Sequence, residues 1–265
     1  MKTKVTIKDI AREAGVSVAT VSYVLNNRQD QKISDETRDK VLHISNLLNY
    51  TPNQAARSLV MRQSNSIVLY YKQSHSILVQ AEQMHIINTL SSFLHQNNYQ
   101  LVCLSDKMIE QFDWADVILT FDISNESFYK IGQLNFKPLI ALNALINDPL
   151  FFQINTNYLE AKKKAEAFFN QTAYHVISLP VNNKHLRERL VEIFPNIIFC
   201  DIANDLNAYK DKPILILNNS LDQFFNDHPN KYYLDSLDFA KCDLLLQAIK
   251  WAKNRKLDKN HNLLI

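Results

Sequence analysis

TIKDIAREAGVSVATVSYVLNN, residues 6–27, decides the reading of this chain. Thr6 is placed to cap a helix, since its hydroxyl can accept from an unpaired first-turn amide. Ile7, Ile10, Ala11 and Ala14 share one face at helical spacing. Gly15 stands where the chain must turn sharply, a position that favours positive φ. Val16 reads as an apolar plug. Ser17 starts a second helix whose buried face is Val21, Val24 and Leu25. Val18, Ala19, Thr20, Ser22 and Tyr23 are then left on its front and outer face, the face that a helix-turn-helix presents to the major groove of DNA.

Working outward, a third helix is expected over about Ser34 to Leu48. Ser34, Glu36 and Thr37 give it a capped, acidic start, and Val41, Ile44, Leu47 and Leu48 a buried stripe. Asn49-Tyr50-Thr51-Pro52 ends it, because proline disfavours helix in the residue before it. A short helix over Asn53–Met61 and a linker, MRQSNS, follow. From residue 66 onward, apolar runs alternate with helical patterns. Strands are expected at 66–71, 99–105, 116–121 and 138–143, with helices over Ile77–Asn97 and Phe128–Leu134 between them. A second set contains strands at 175–179, 196–200, 213–218 and 231–236, with helices Leu159–Asn170 and His185–Phe194. The helix Asp238–Asn254 and a terminal LLI strand come last. Continuous apolar strands separated by helices argue for parallel sheets covered on both faces.

Residues 6–27 together with ISDETRDKVLHISNLLNYTPNQAARSL at 33–59 resemble the headpiece and hinge of the lac-repressor (LacI/GalR) family of bacterial transcription regulators. The resemblance implies an all-α helix-turn-helix headpiece (1–49), a hinge helix and linker (50–65), and a two-lobed α/β core with parallel sheets, similar to periplasmic binding proteins (66–265). By analogy lobe 1 takes about 66–154 and 237–256, and lobe 2 takes about 155–236 and 257–265, with crossings near Asn155, Ser236 and Leu257. That family usually has a longer core. The heptad tail that makes some relatives tetramers is not visible before the chain stops at LLI.

The resemblance places Val18, Ala19 and Tyr23 at base-reading positions. Val and Ala read shape and thymine methyls, whereas Tyr23 offers a ring edge and one hydroxyl. Thr6, Ser17, Thr20, Ser22 and Asn26 suit phosphate oxygens, as do Arg28 and Arg57; an ordinary role as cap or surface residue is open for each of them. In the family a leucine at the position of Leu59, beside Ala56, pries open a central base step from the minor groove. Such a wedge works as a symmetric pair, so a homodimer on a palindromic operator is implied. Val60 stands where the family often has a basic residue.

The expected effector cleft departs from the pattern. Asn155-Thr156 replaces a usual Asp-Asn, Asn218-Asn219-Ser220 replaces a usual Asp, and Glu160-Ala161 replaces a Gly pair. Two readings stay open. Either a small effector meets Asn155, Arg187, Asn219 and His75 or Trp114, or the cleft is vestigial and the core serves dimerisation or a protein partner. A third possibility is an interaction module with weak DNA binding.

Composition is consistent with a soluble regulator: 46% of the 265 residues are hydrophobic and 21% charged, with a net charge of +2. Residues 1–65 hold ten Lys and Arg against six Asp and Glu, and the remainder nineteen against twenty-one. A basic end on a slightly acidic body fits attraction to phosphate. Two glycines, Gly15 and Gly132, are too few for a phosphate-binding GxxxxGK[ST] loop, a GxGxxG fingerprint or a GxSxG elbow. HExxH is absent, Cys103, Cys200 and Cys242 lack metal or disulfide spacing, and no nucleophile–base set is visible. The expectation is therefore a non-enzyme without cofactor or metal. No signal peptide or run of 18 apolar residues is read, so a cytoplasmic protein without a membrane span is expected.

Overall fold

The computed structural model describes residues 5–26, 28, 30–48, 50, 64–254 and 259–265. The chain forms two compact units, Met1–Arg62 and Gln63–Ile265. The helix expected over Asn53–Met61, and with it Ala56, Arg57 and Leu59, lies outside the described residues.

The first unit contains α1 (Ile7–Ala14), α2 (Val18–Leu25) and α3 (Asp35–Leu47). Thr6 is the N-cap of α1, and the Asp9 carboxylate accepts from its amide at 2.8 Å and from its hydroxyl at 2.7 Å. Gly15 ends α1 in the left-handed region at φ 67°. Nothing lies within 4 Å of where a Cβ would sit, so only backbone strain opposes a side chain there. Gly15→Ala should therefore destabilise the headpiece by about 1 kcal/mol, read as a lower thermal midpoint. An unchanged midpoint would show that the turn relaxes.

Ile10, Ala11, Ala14, Val21, Val24 and Val41 form the core of this unit, with Ile7, Val16, Leu25, Ile44 and Leu48 packed around it. Leu47 does not join the stripe: it is 68% exposed. The inward face of α3 continues instead through Ser45, whose hydroxyl donates to the Val41 carbonyl at 2.7 Å. A buried hydroxyl satisfied within its own helix is tolerated there, and it shifts the stripe by one position from a purely apolar count.

The second unit contains two parallel sheets. Its elements are β1 (Ser66–Tyr71), α4 (Ile77–Gln96), β2 (Gln100–Ser105), β3 (Val117–Phe121), α5 (Asn125–Leu134), β4 (Leu139–Leu142), β5 (Phe152–Asn155), α6 (Tyr158–Phe168) and β6 (His175–Ser178). They continue with α7 (Lys184–Ile193), β7 (Ile197–Phe199), α8 (Ala203–Leu206), β8 (Ile214–Ile216), α9 (Asn219–Phe224), β9 (Lys231–Tyr233), α10 (Phe239–Lys253) and β10 (Asn262–Leu264). The first sheet runs β10-β5-β4-β3-β1-β2 and the second β7-β6-β8-β9.

Alternation explains the apolar runs. Ile67 and Leu69 face a cluster with Ile86, Leu90 and Ile249 from α4 and α10, whereas Val68 and Tyr70 face Phe128 and Ile131 of α5. Both faces are covered, so both sets of side chains are apolar. The connection from β2 to β3 contains no helix. Asn135 supports it, accepting from the Phe112 amide and donating to the Glu110 carbonyl.

The structure departs from the expected order at the terminal strand, at β5 and at the start of α5. The terminal LLI strand does not enter the second lobe: β10 pairs in parallel with β5, Leu263 opposite Ile154, so 259–265 belong to the first sheet. Among the described residues the chain thus crosses between lobes after β5 and before α10, without a third crossing near Leu257. Strand β5 itself, FQIN, was not anticipated, because four residues with a buried Gln153 carry little alternation signal. The Gln153 side chain is satisfied by the Ile146 amide and carbonyl. Helix α5 starts at Asn125 rather than at Phe128, capped by Ser124.

Candidate nucleic-acid interface and interlobe cleft

Helix α2 presents its front to solvent. Val18 is its first residue and, like Ala19, is exposed; Tyr23 lies one turn on and is half-buried. The Ser17 hydroxyl accepts from the Thr20 amide at 3.0 Å and hydrogen-bonds with the Thr20 hydroxyl at 2.9 Å. These two side chains therefore hold the helix start rigid. The Asn26 amide closes the other end by donating to the Ser22 carbonyl and hydroxyl. Arg28 forms a forked ion pair with Asp30, at 2.7 and 2.6 Å. That pair holds the Asp30 carboxyl well below the usual carboxylate range. Of the residues expected at phosphates, Thr6, Ser17, Thr20, Ser22, Asn26 and Arg28 all serve local capping or pairing in the free protein. A rigid helix that needs no reordering before it docks suits groove recognition.

In the second unit a cavity lies between the lobes, at the carboxyl ends of β3, β4, β6 and β8. Glu82, Asp122, Asn143, Tyr158, Asn218 and Ser236 supply polar groups to its wall. None of the four expected effector residues lines it. His75 is exposed, and the Arg187 guanidinium sits over the Phe199 ring at 4.9 Å. The Asn219 amide approaches the Tyr233 hydroxyl at 3.5 Å, and Asn155 is buried, donating to the Ala144 carbonyl at 3.1 Å and lining a second pocket between the lobes. Trp114 packs edge-on against Phe112.

The cavity's polar residues come from segments distant in sequence. Asp122 and Asn143 both occupy the left-handed region, at φ 44° and 50°, and so turn the strand ends toward the cleft. Burial pushes the Asp122 carboxyl up to about 7, against the pull of bonds from Asn183 and Asn182. Burial likewise pushes Tyr158 up to about 12. Behind them the Lys241 ammonium donates to Asn143 Oδ1 at 2.9 Å, Thr156 Oγ1 at 2.7 Å and the Ser236 carbonyl at 2.7 Å. Thr156 and Ser236 mark the two crossings, so Lys241 ties both connecting strands together. The isolated Asp and Lys gave no motif to find; a left-handed Asp after an apolar strand was the single available hint. Among the described residues, no group of three or more His, Cys, Asp and Glu side chains could hold a metal ion, and no helix is long and apolar enough to cross a membrane.

Comparison with known proteins bears on this arrangement. Residues 6–53 match the family model "Bacterial regulatory proteins, lacI family". Residues 6–53 thus carry a lacI-family helix-turn-helix domain. Over 183 residues the chain is 34% identical to the probable HTH-type transcriptional repressor ExuR of Bacillus subtilis, covering 66% of this chain and 54% of that protein. It thus spans about half the length of that relative. Over 63 residues it is 51% identical to the HTH-type transcriptional regulator GalS of Salmonella typhimurium, 24% of this chain and 18% of the relative. The fold of this chain is similar to that of the lac repressor bound to ONPG. The TM-score is 0.61 at 16% identity, over 99% of this chain and 97% of that one. At that identity the likeness concerns the fold alone.

Proposed function

We propose that this protein is a sequence-specific DNA-binding transcription regulator of the lacI family, acting as a cytoplasmic repressor. It binds a palindromic operator as a homodimer joined through the second unit. The observation that carries this reading is the exposed front of α2, Val18 and Ala19 with Tyr23 beside them, on a capped helix-turn-helix. Val18, Ala19 and Tyr23 read base edges. Thr6, Ser17, Thr20, Ser22, Asn26, Arg28 and Arg57 meet phosphates, with Arg28 exchanging Asp30 for a phosphate oxygen. Ala56 and Leu59 enter the minor groove as a symmetric wedge.

The test is selection of duplexes from random sequence by the full chain, followed by titration in rising salt. A palindrome with a deformable central step is expected, with affinity falling steeply as rising salt reduces the gain from releasing counterions. No enriched motif, or an affinity insensitive to salt, would overturn the reading in favour of an interaction module.

For the core, the cavity at the strand ends is too small for a bound sugar. It is about 50 Å³, against the roughly 150 Å³ that admits a benzene ring in an engineered protein cavity. A sugar at the strand ends therefore requires the lobes to part first, whereas a second pocket between the lobes, lined by Leu145, Asn155, Tyr158 and Arg189, is about 470 Å³.

A further inference from the structure

The lobes meet through bonds made by side chains of the chain itself. Asp122, at the end of β3 in the first lobe, accepts from the amides of Asn182 at 2.9 Å and Asn183 at 3.1 Å, and from the Asn182 side chain at 2.9 Å. Those amides stand at the start of α7 in the second lobe, where a helix leaves N–H groups without partners of its own. Asn183 is fully buried and completes the seam. It donates to the Ile123 carbonyl and to Asn125 Oδ1, and its oxygen accepts from the Leu145 amide. On the other side of the cleft, Glu82 of α4 accepts from the Ser220 amide of the second lobe at 2.8 Å and from the Ser236 hydroxyl at 2.6 Å. Beside it the Ser76 hydroxyl donates to the Asp201 carbonyl. Leu78 and Val79 of the first lobe pack into the apolar cluster of the second, and Leu145 packs into its other cluster.

We propose that Asp122 and Glu82 act as built-in ligands that hold the two lobes closed when no small molecule is bound. Each places a first-lobe carboxylate on second-lobe amides, which is where a bridging ligand would otherwise have to make its bonds. At the strand ends a cavity of about 50 Å³ is what remains once the seam has formed. A ligand shifts a conformational equilibrium only by its differential affinity for the two states. A molecule that merely bridged the lobes would add little to a core already closed. An effector that works by moving the lobes therefore acts by favouring the open form. The inference goes beyond the DNA-binding reading and stands on the core alone.

The experiment is hydrogen exchange on the ligand-free full chain, resolved to peptides containing Asn182, Asn183 and Ser220. Hydrogen bonding across the seam should slow these amides at least 100-fold relative to a free peptide, although they precede or open helices. Exchange at the free rate would overturn the proposal without recourse to any variant. In the double variant Glu82→Ala, Asp122→Ala the same amides should speed up at least tenfold, while Leu119 in β3 and Ile177 in β6 stay protected. Protection that survives in the double variant would also overturn it, since the carboxylates would not then be the latch. If the double variant unfolds, the single variant Glu82→Ala replaces it: selective acceleration at Ser220 supports the latch, and none refutes it. DNA binding is not read, so failure here and failure of the regulator reading are distinct.

Discussion

Ile10→Asp should abolish specific DNA binding, with at least a 100-fold loss of affinity for a selected duplex, while the second unit melts as before. Ile10 is fully buried at the centre of the headpiece cluster, against Ala14, Val21 and Val41. None of those side chains can pair with a carboxylate. Burying an unpaired charge costs several kcal/mol, and a core made by three short helices has little stability to lose. Without that core, α2 is an eight-residue segment, too short to persist alone in water. Circular dichroism would follow the loss of headpiece helix, and fluorescence anisotropy the loss of binding. Wild-type affinity from the variant would mean that the headpiece folds on the DNA surface and not beforehand. A shifted melt of the second unit would show that the two units are thermodynamically coupled.

Lys241→Met should destabilise the second unit by about 2–4 kcal/mol at neutral pH. The ammonium donates to three acceptors, Asn143 Oδ1, Thr156 Oγ1 and the Ser236 carbonyl, and methionine fills its volume without serving any of them. Orphaned buried acceptors cost about 1–3 kcal/mol each, partly offset because the ammonium no longer has to be desolvated. The size of that offset shows in Lys241 itself, which burial pushes down to about 8. Because the folded state holds the proton less tightly than the unfolded chain, wild-type stability should rise as pH goes from about 8 to above 10, and should be lower below 8. The Met variant should lack that rise. Urea melts at pH 7 and pH 9.5 would check both statements. A Met variant as stable as wild type at pH 7 would mean that the three acceptors find other donors.

Most of the headpiece was legible because its determinants are local. Thr6, Ser17 and Ser34 cap helices within three residues of themselves, and Gly15 declares a left-handed turn by its type alone. Leu47 points outward because helical spacing admits either of two adjacent positions, and Leu48 takes the inner one. In the second unit, strands such as SIVLYY announced themselves by continuous apolar character, as both of their faces are covered. The cleft was not legible. Resemblance pointed to Asn155, Arg187, Asn219 and His75, none of which lines the cavity at the strand ends, although Asn155 lines a second pocket between the lobes. The groups that do meet there come from strand ends and crossings, positions with no periodicity to betray them.

The sequence by itself determined the helix-turn-helix, its caps and outward face, and the alternation of strands and helices, since spacing along a few residues settles each. The tertiary structure alone decided the sheet that β10 joins, because three apolar residues at the end of a chain would satisfy the edge of either sheet. It alone decided the latch as well. Asp122 and Asn182 are 60 residues apart and Glu82 and Ser236 are 154 apart. No local pattern records that buried carboxylates at such distances will find each other's lobes, since the pairing follows only once both sheets have packed and their crossings are set.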